Sequence, residues 1–364
     1  MRKKPSGRRV SFARRLLQGV LVAGSLGCFA AASASSAAGY HLVRVVPLPS
    51  VTGWDYLHID TAKRDLYISN NSGVIVLNVD TLKEVGTVPP PAKPAGVGLD
   101  HGVATADRLG YGFVSWELPA SIVTFRLGSL KIVHDTRAAP GPDAILYDPQ
   151  TRRVFSFDGK TPGVHHVTVM DARSGRRLAE LRLPGRPEFA VSDARGDVFV
   201  NIASLSKLER INASTLKMTA LWGMRPCRDP SALAIDRVHD RLFAACGNRI
   251  MIMMSSRSGR VIASVHTTGG TDAVRVDPAT EDVFAASGSG TLTVAREVTP
   301  YRLVPLQQVK TAPQARTMAL DRRTHRVFLV TARFGPAPGH ATQENPHGYP
   351  LALRGTAKLL VYAP

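Results

Sequence analysis

The stretch Pro142-Asp-Ala-Ile-Leu-Tyr-Asp-Pro-Gln-Thr-Arg-Arg-Val-Phe-Ser-Phe157 contains the pattern on which the whole chain is built. An alternating apolar segment ends at Asp148, a short polar segment follows, and a second apolar segment begins at Val154. Alternation with a period of two, interrupted by turn-forming residues, predicts two antiparallel strands joined by a tight turn. The same pattern occurs seven times along the 364 residues, which is typical of a repeat protein.

The repeat can be aligned on the aspartate that is expected to end the first strand of each copy. Those residues are Asp60, Asp100, Asp148, Asp193, Asp236, Asp277 and Asp321, and they lie 40 to 48 residues apart. In most copies a branched residue and an aromatic residue follow five or six places later, whereas the copy at Asp100 has a longer turn before Tyr111 and Phe113. A short carboxylate at the start of a turn accepts hydrogen bonds from nearby backbone N–H groups, so we expect these aspartates to be structural.

Two further strands follow in most copies, so each repeat is expected to form a four-stranded sheet. Four antiparallel strands every 40 to 48 residues are the period of one β-propeller blade. The seventh copy lacks its fourth strand, because the chain ends shortly after Leu359–Tyr362. His41–Leu48 can supply that strand and thereby remove an open sheet edge. The sequence therefore predicts an all-β, seven-bladed β-propeller over residues 39–364, a single domain closed by an N-terminal strand in the last blade.

Residues 1–38 are predicted to direct export. They begin with seven basic and no acidic residues among the first fifteen, continue with an apolar segment up to Phe29, and end in small residues with cleavage positions after Ala34 or Ala38. This order is that of a secretory signal peptide and predicts a periplasmic or secreted protein. A pair of adjacent arginines leaves twin-arginine export open. The same segment is also compatible with an uncleaved anchor or with a lipoprotein acylated at Cys28.

The formal net charge of +18 falls to +11 once the seven charges of the leader are removed, so the remainder is basic but not extreme. Many basic residues, such as Lys63, Arg64, Arg152, Arg322 and Arg323, fall in the predicted turns after first and third strands. This pattern favours a polyanion partner, nucleic acid or an anionic surface. Because acidic residues occupy the same turns, a mixed solvated surface is the alternative. After the leader, no segment has the roughly 18 apolar residues that span a bilayer.

The segment Tyr67-Ile68-Ser69-Asn70 resembles the Tyr-Val-Thr-Asn signature of YVTN-repeat propellers. The mature chain as a whole is similar to the exported bacterial YncE-like family, in segments such as 229–236, 316–321 and 334–338. The resemblance covers all seven predicted blades and implies the fold more specifically than any activity. Most members are uncharacterised. DNA binding is implied for one branch, and lactonases and quinoprotein subunits are relatives of the fold.

The position five residues before each repeated aspartate is expected to lie at the mouth of the central tunnel, because first strands line that tunnel. These residues are Asp55, Ala95, Asp143, Glu188, Ser231, Asp272 and Arg316. Two carboxylates about 8 Å apart repel by roughly 2 kcal/mol at an effective dielectric constant near 20. Arg316, raised pKa values, water or a bound cation must offset this repulsion. The ring therefore predicts a ligand or cation site, with calcium as a candidate on Asp143, Glu188 and Asp272; simple capping of backbone N–H groups is the alternative.

Two further features belong to the expected mouth face. The turn between the second and third strands of the last blade is enlarged to residues 333–358 and contains His340 and His347, which could form part of a lid or ligand site. A mobile insertion is the alternative. Cys227 and Cys246 flank the first hairpin of the fifth copy, so we expect a disulfide that closes about 20 residues, with two free thiols as the alternative.

The motif search favours a binding protein over an enzyme. The sequence contains no G-x-S-x-G, H-E-x-x-H or P-loop motif, no C-x-x-C-H haem site, and only three tryptophans. We therefore expect an exported, monomeric binding or scaffold protein that takes a small molecule or a protein partner at the acidic mouth. A second hypothesis is a metal-assisted, lactonase-like hydrolase using the same carboxylates. A third is a polyanion-binding protein.

Overall fold

The computed structural model describes residues 39–91, 100–336 and 350–364, so the predicted leader lies outside the described residues. Within the described ranges the chain forms 28 strands and two short 3-10 helices, Asp107–Leu109 and Ala203–Leu205. The strands are grouped into seven four-stranded antiparallel sheets. All of them lie in one compact unit that spans residues 38–364. The predicted all-β, seven-bladed β-propeller is confirmed.

We number the blades in chain order and give their strands in order from first to fourth. Blade 1 comprises Leu57–Asp60, Asp65–Ile68, Val74–Asn78 and Glu84–Val88. Blade 2 comprises Asp100–Ala106, Tyr111–Trp116, Ser121–Arg126 and Ile132–Arg137. Blade 3 comprises Pro142–Asp148, Arg153–Asp158, His166–Asp171 and Arg177–Arg182. Blade 4 comprises Pro187–Ser192, Asp197–Ile202, Lys207–Asn212 and Met218–Gly223.

The remaining blades follow the same order, except that the last one takes its fourth strand from the N-terminal part of the chain. Blade 5 comprises Pro230–Asp236, Arg241–Cys246, Ile250–Ser255 and Val261–His266. Blade 6 comprises Thr271–Asp277, Asp282–Ser287, Thr291–Thr299 and Arg302–Lys310. Blade 7 comprises Met318–Asp321, Arg326–Thr331, Lys358–Ala363 and His41–Pro47.

The first strands form the inner wall of the ring. Each first strand contacts the first strands of the two blades beside it, and blade 7 contacts blade 1 in the same way. The second strands are almost completely buried, because both faces pack against neighbouring blades. The repeated aromatic residues fill these interfaces and are at most 1% exposed; they are Tyr67, Phe113, Phe155, Phe199, Phe243, Phe284 and Phe328. Burial of these side chains between adjacent sheets stabilises the ring.

The ring is closed by the N-terminal strand, as the missing fourth strand of the last copy predicts. His41–Pro47 pairs antiparallel with Lys358–Ala363, from His41 opposite Ala363 to Pro47 opposite Lys358. Tyr40 and Leu48, at the two ends of this strand, are each 5% exposed and pack in the core. The closing strand is therefore held by both backbone pairing and apolar burial.

The structural role expected for the repeated aspartates is confirmed in six blades. Their side chains accept hydrogen bonds from turn N–H groups two or three residues later, as Asp60 does from Lys63 and Asp236 does from Val238. The alignment on Asp100 is wrong. Asp100 begins the first strand of blade 2, and the residue at the strand end is Ala106.

Loss of the closing strand is expected to destabilise the whole protein. A chain that begins at residue 49 leaves the edge of Lys358–Ala363 unpaired, and each lost hydrogen bond costs about 1 kcal/mol. We expect the free energy of unfolding in urea to fall by about 5 kcal/mol or more relative to a chain that begins at residue 39. Equal unfolding midpoints for the two chains would contradict this account of closure.

Candidate functional site

The corrected register of blade 2 changes the composition of the tunnel mouth. Ala106 lies opposite Tyr111, as Asp148 lies opposite Arg153 in blade 3. The residue five places before Ala106 is His101, which therefore occupies the mouth position assigned from the sequence to Ala95. Ala95 itself lies outside the described residues. The mouth thus has a histidine among its carboxylates.

Local backbone contacts position the mouth residues. The Asp55 backbone N–H donates to the Ser69 hydroxyl at 2.7 Å, and the Thr52 N–H donates to the Asn70 side-chain oxygen at 2.7 Å. Both acceptors belong to the Tyr67–Asn70 segment, so that segment holds the loop before the first strand of blade 1. At Gly102 an added Cβ would lie 3.0 Å from the Asp143 carbonyl oxygen. The absence of a side chain there lets the first strands of blades 2 and 3 approach closely.

His101 lies between two carboxylates. Its Nδ1 is 2.7 Å from Asp55 Oδ2, and its Nε2 is 2.9 Å from Glu117 Oε2. Both ring nitrogens can donate at once only in the imidazolium form. Burial alone would lower the pKa of His101, but the hydrogen bonds to Asp55 and Glu117 outweigh it and raise that pKa to about 9. His101 is therefore a cation at neutral pH.

Lys160 provides a second cation from the turn that follows the second strand of blade 3. Its Nζ lies 3.7 Å from Asp55 Oδ2 and 3.6 Å from Asp143 Oδ2. Burial acts to raise the pKa of Asp55, yet Lys160 and His101 hold it well below its usual value. At Asp143 burial outweighs the same two cations, and the pKa is raised. Asp55 is therefore the more firmly ionised of the two carboxylates.

The other predicted mouth residues form separate pairs. Arg316 Nε lies 3.4 Å from Asp272 Oδ2, and burial nevertheless raises the pKa of Asp272. Glu188 pairs with Arg186, which also lies 3.1 Å from Asp229. The calcium set predicted from the sequence, Asp143 with Glu188 and Asp272, is therefore not the group that the structure gathers. Among the described residues, the potential ligand atoms at the mouth that lie within 4.8 Å of one another belong to Asp55, His101 and Asp143.

At the mouth, one carboxylate oxygen of Asp143 has no hydrogen-bond partner among the described residues. Asp143 is only 4% exposed, and its Oδ1 makes no hydrogen bond. His101 Nδ1 lies 3.9 Å from this oxygen, beyond hydrogen-bond distance, and already donates to Asp55. A buried carboxylate oxygen without a donor is unfavourable, so this atom marks a place where a donor from a ligand would be stabilised.

The large insertion of blade 7 begins and ends near the mouth. Phe334 pairs with Ala352 in an isolated bridge, and its ring centroid lies 6.1 Å from that of Trp54, next to Asp55. His340 and His347 lie outside the described residues, so their predicted ligand role stays a prediction.

The two cysteines are joined in the structure. Cys227 and Cys246 form a disulfide with a Cα–Cα distance of 5.5 Å, and both are 1% exposed. The bridge ties the segment before the first strand of blade 5 to the end of its second strand. It thereby restrains one blade beside the mouth.

Three mouth residues were missed in the sequence, for two different reasons. His101 could have been found by counting back from Phe113, because in five of the other six copies the aromatic residue follows the repeated aspartate by seven positions. Glu117 and Lys160 lie in turns between second and third strands, outside the periodic positions. Those turns were expected on this face, but nothing in their local sequence marks these two side chains.

Comparison with known proteins identifies the fold but no family. No protein-family model matches the sequence, and no curated protein matches it either. Solved β-propellers match over most of the chain. One is described as the crystal structure of RRP9 WD40 repeats, with a TM-score of 0.70 and 10% identity, covering 87% of this chain and 96% of that one.

Two further structures give the same result. One is described as the structure of U3-55K, with a TM-score of 0.69 and 10% identity, covering 87% of this chain and 97% of that one. The other is described as the crystal structure of the mitotic checkpoint complex, with a TM-score of 0.71 and 10% identity, covering 96% and 99%. The chain is thus a seven-bladed β-propeller with WD40-repeat structural neighbours. Within the ranges that the structure describes, no helix is both long and apolar enough to cross a membrane.

Removal of the Lys160 charge is expected to destabilise the mouth. Lys160→Gln leaves Asp55 and Asp143 without their shared cation, and we expect a loss of about 2 kcal/mol at pH 7, since Lys160 is partly exposed. The loss should shrink as the pH falls and Asp143 becomes protonated. Urea unfolding at several pH values measures it, with the exposed Lys131→Gln as control. Equal effects of the two substitutions would contradict the role of Lys160.

Removal of the disulfide is expected to destabilise the protein without changing its fold. The bridge links residues 19 positions apart, and a loop of about this length contributes roughly 3 kcal/mol in the chain-entropy model. The double substitution Cys227→Ala and Cys246→Ala should therefore lower the free energy of unfolding by about that amount. An unchanged free energy would show that the bridge does not restrain the unfolded chain as assumed.

Proposed function

We propose that this protein is an exported binding protein whose tunnel mouth takes a small ligand that carries an ammonium group. Export to the periplasm is supported by the basic, apolar and small-residue segments of residues 1–38. Kinship with YVTN-repeat, YncE-like propellers is supported by the resemblance of Tyr67–Asn70 and by the seven blades. The fold itself is consistent with a binding or scaffold role.

The balance of charge at the mouth supports a cationic ligand. Four carboxylates, Asp55, Glu117, Asp143 and Asp272, are in contact with three cations, which are His101, Lys160 and Arg316. Glu188 belongs to a separate group, in which it shares Arg186 with the exposed Asp229. When all these groups are ionised, one negative charge is left, and a ligand with one positive charge would neutralise it.

The observation that carries the proposal is the unpartnered Oδ1 of Asp143. This oxygen is buried at the mouth and needs a hydrogen-bond donor. A primary ammonium group supplies both a donor and the missing positive charge. Because burial raises the pKa of Asp143, binding should strengthen as the pH rises and that carboxyl group ionises.

A divalent metal fits the same residues less well. Calcium, or the metal of a lactonase-like hydrolase, would have to use Asp55, His101 and Asp143. His101 has a pKa of about 9 and is protonated at neutral pH, whereas a metal requires the neutral ring. Lys160 also lies within 3.7 Å of both carboxylates. A metal would therefore have to displace two positive charges that the chain already provides.

The polyanion hypothesis is weakened by ion pairs in the basic turns. Arg64 contacts both Asp80 and Asp321, and Arg257 contacts Asp240. These pairs neutralise part of the charge on which binding of nucleic acid would depend. A mixed, solvated surface is the better account of these turns.

The proposal is tested by thermal stability in the presence of simple amines. Ethylammonium, putrescine and lysine methyl ester would be compared with calcium chloride and with tetramethylammonium, which cannot donate a hydrogen bond. A ligand at a hundred times its dissociation constant stabilises the folded protein by about 2.7 kcal/mol. We expect stabilisation by at least one primary amine and none by tetramethylammonium.

Two variants locate the response. Asp143→Asn should abolish the stabilisation by amines, whereas Asp135→Asn, which removes an exposed carboxylate, should leave it unchanged. Stabilisation by calcium that is reversed by a chelator and lost in Asp143→Asn would favour a metal site instead. A full amine response in Asp143→Asn would overturn the proposed site.

A further inference from the structure

A separate cavity lies inside the ring, beyond the mouth. It has a volume of about 340 Å³ and is lined by the first strands from Tyr56 and Phe189 down to Arg237 and Arg322. Tyr56 and Phe189 come from blades 1 and 4, on opposite sides of the ring, and their ring centroids are 5.2 Å apart. None of the mouth residues lines this cavity. The aromatic pair therefore lies across the tunnel between the mouth and the cavity.

Three arginines from consecutive blades face this cavity. Arg237 and Arg322 hold equivalent positions, directly after the aspartate that ends the first strand of blades 5 and 7. Arg275 lies between them, in the first strand of blade 6. We call this space the arginine cavity. Three guanidinium groups are thus presented on one side of the wall.

No carboxylate forms an ion pair with these arginines within residues 39–91, 100–336 and 350–364. Arg237 Nε donates to the Ser192 carbonyl oxygen at 2.9 Å, and Arg275 Nη1 donates to the Val274 carbonyl oxygen at 2.8 Å. The Arg275 guanidinium also lies 5.1 Å from the centre of the Phe189 ring. Backbone carbonyls and an aromatic face orient Arg237 and Arg275, but they supply no negative charge.

Carboxylates that act on these arginines from beyond ion-pair distance are engaged elsewhere. Asp148 accepts from Thr151 and Ser192, Asp236 pairs with His239, and Asp277 pairs with His325. Burial, together with the charge of Arg322, lowers the pKa of Arg275 to about 10. Burial and Arg322 likewise lower the pKa of Arg237. Burial and the neighbouring positive charges therefore destabilise these guanidinium cations, and an anion in the cavity would stabilise them.

The rest of the lining is apolar or neutral. Val103, Ile145, Leu233 and Val276 contribute aliphatic surface. Burial lowers the pKa of His58 to about 4, so this residue adds no charge at neutral pH. A cavity of this size accommodates a small organic molecule, and the aliphatic walls would favour one with an apolar body.

We propose that the arginine cavity binds a small organic anion, with its carboxylate or phosphate group on Arg237, Arg275 and Arg322 and its apolar body against the aliphatic wall. Guanidinium groups bind carboxylates and phosphates alike through paired hydrogen bonds, so the site is expected to recognise either anionic group in the same way. The site is separate from the mouth proposed above, and the two take ligands of opposite charge.

The proposal is tested by calorimetric titration of the protein with benzoate, phenyl phosphate and inorganic phosphate at constant ionic strength in chloride. We expect one molecule of benzoate or phenyl phosphate to bind per chain, more tightly than inorganic phosphate. The tighter of the two aromatic ligands identifies the preferred anionic group. Arg275→Gln and Arg322→Gln should each weaken binding about tenfold or more, since each removes a charged hydrogen-bond donor.

Matched variants make the result specific. Arg323→Gln removes a neighbouring exposed charge that does not line the cavity and should leave binding unchanged. Asp143→Asn at the mouth should also leave it unchanged, which separates failure of this proposal from failure of the amine site. Arg322 is exposed, so Arg322→Gln should fold even if Arg275→Gln does not. Absence of binding by all three anions, or equal binding in wild type and Arg322→Gln, would overturn the proposal.

Discussion

The convergence of seven first strands on one tunnel is the constraint on which the rest of the structure depends. Each first strand is held between two others, and His41–Pro47 closes the ring, so side chains at the same level cannot move apart. Acidic residues at the mouth are therefore buried near one another. Buried carboxylates are stable only when opposite charges or hydrogen bonds accompany them. Much of the chemistry of this protein follows from how the chain meets that requirement.

The chain supplies its own cations at the mouth and leaves the other part of the tunnel positive. His101 and Lys160 stand between the carboxylates, where the sequence suggested that calcium could bind. Beyond the Tyr56–Phe189 pair, the arginine cavity has no comparable compensation from acidic residues in the described ranges. One tunnel thus contains two environments of opposite sign, separated by an aromatic contact. This polarity is the basis for both proposed ligand sites.

The fold could be predicted because it is repeated and local. The alternation of apolar and polar residues predicts the strands of each hairpin, and the recurring aromatic residue gives the number of blades. The missing fourth strand of the last copy predicts that the N-terminal strand closes the ring. The register of blade 2 was lost because Asp100 stands where a strand-end aspartate was expected, although Phe113 indicates the correct position. Glu117 and Lys160 could not be assigned, because their roles depend on contacts between different blades. Of the arginine cavity, only Arg322 was singled out from the sequence, and only as a surface charge, whereas nothing in the local sequence marked Arg237 and Arg275.

The titration of His101 tests the central claim most directly. Nuclear magnetic resonance of the imidazole carbon and nitrogen atoms, assigned with the His101→Gln variant, would follow its protonation between about pH 5 and 10. If the mouth is neutralised by its own side chains, His101 should titrate with a pKa of about 9. A pKa at or below about 6.5, the value of an unperturbed histidine, would contradict this account.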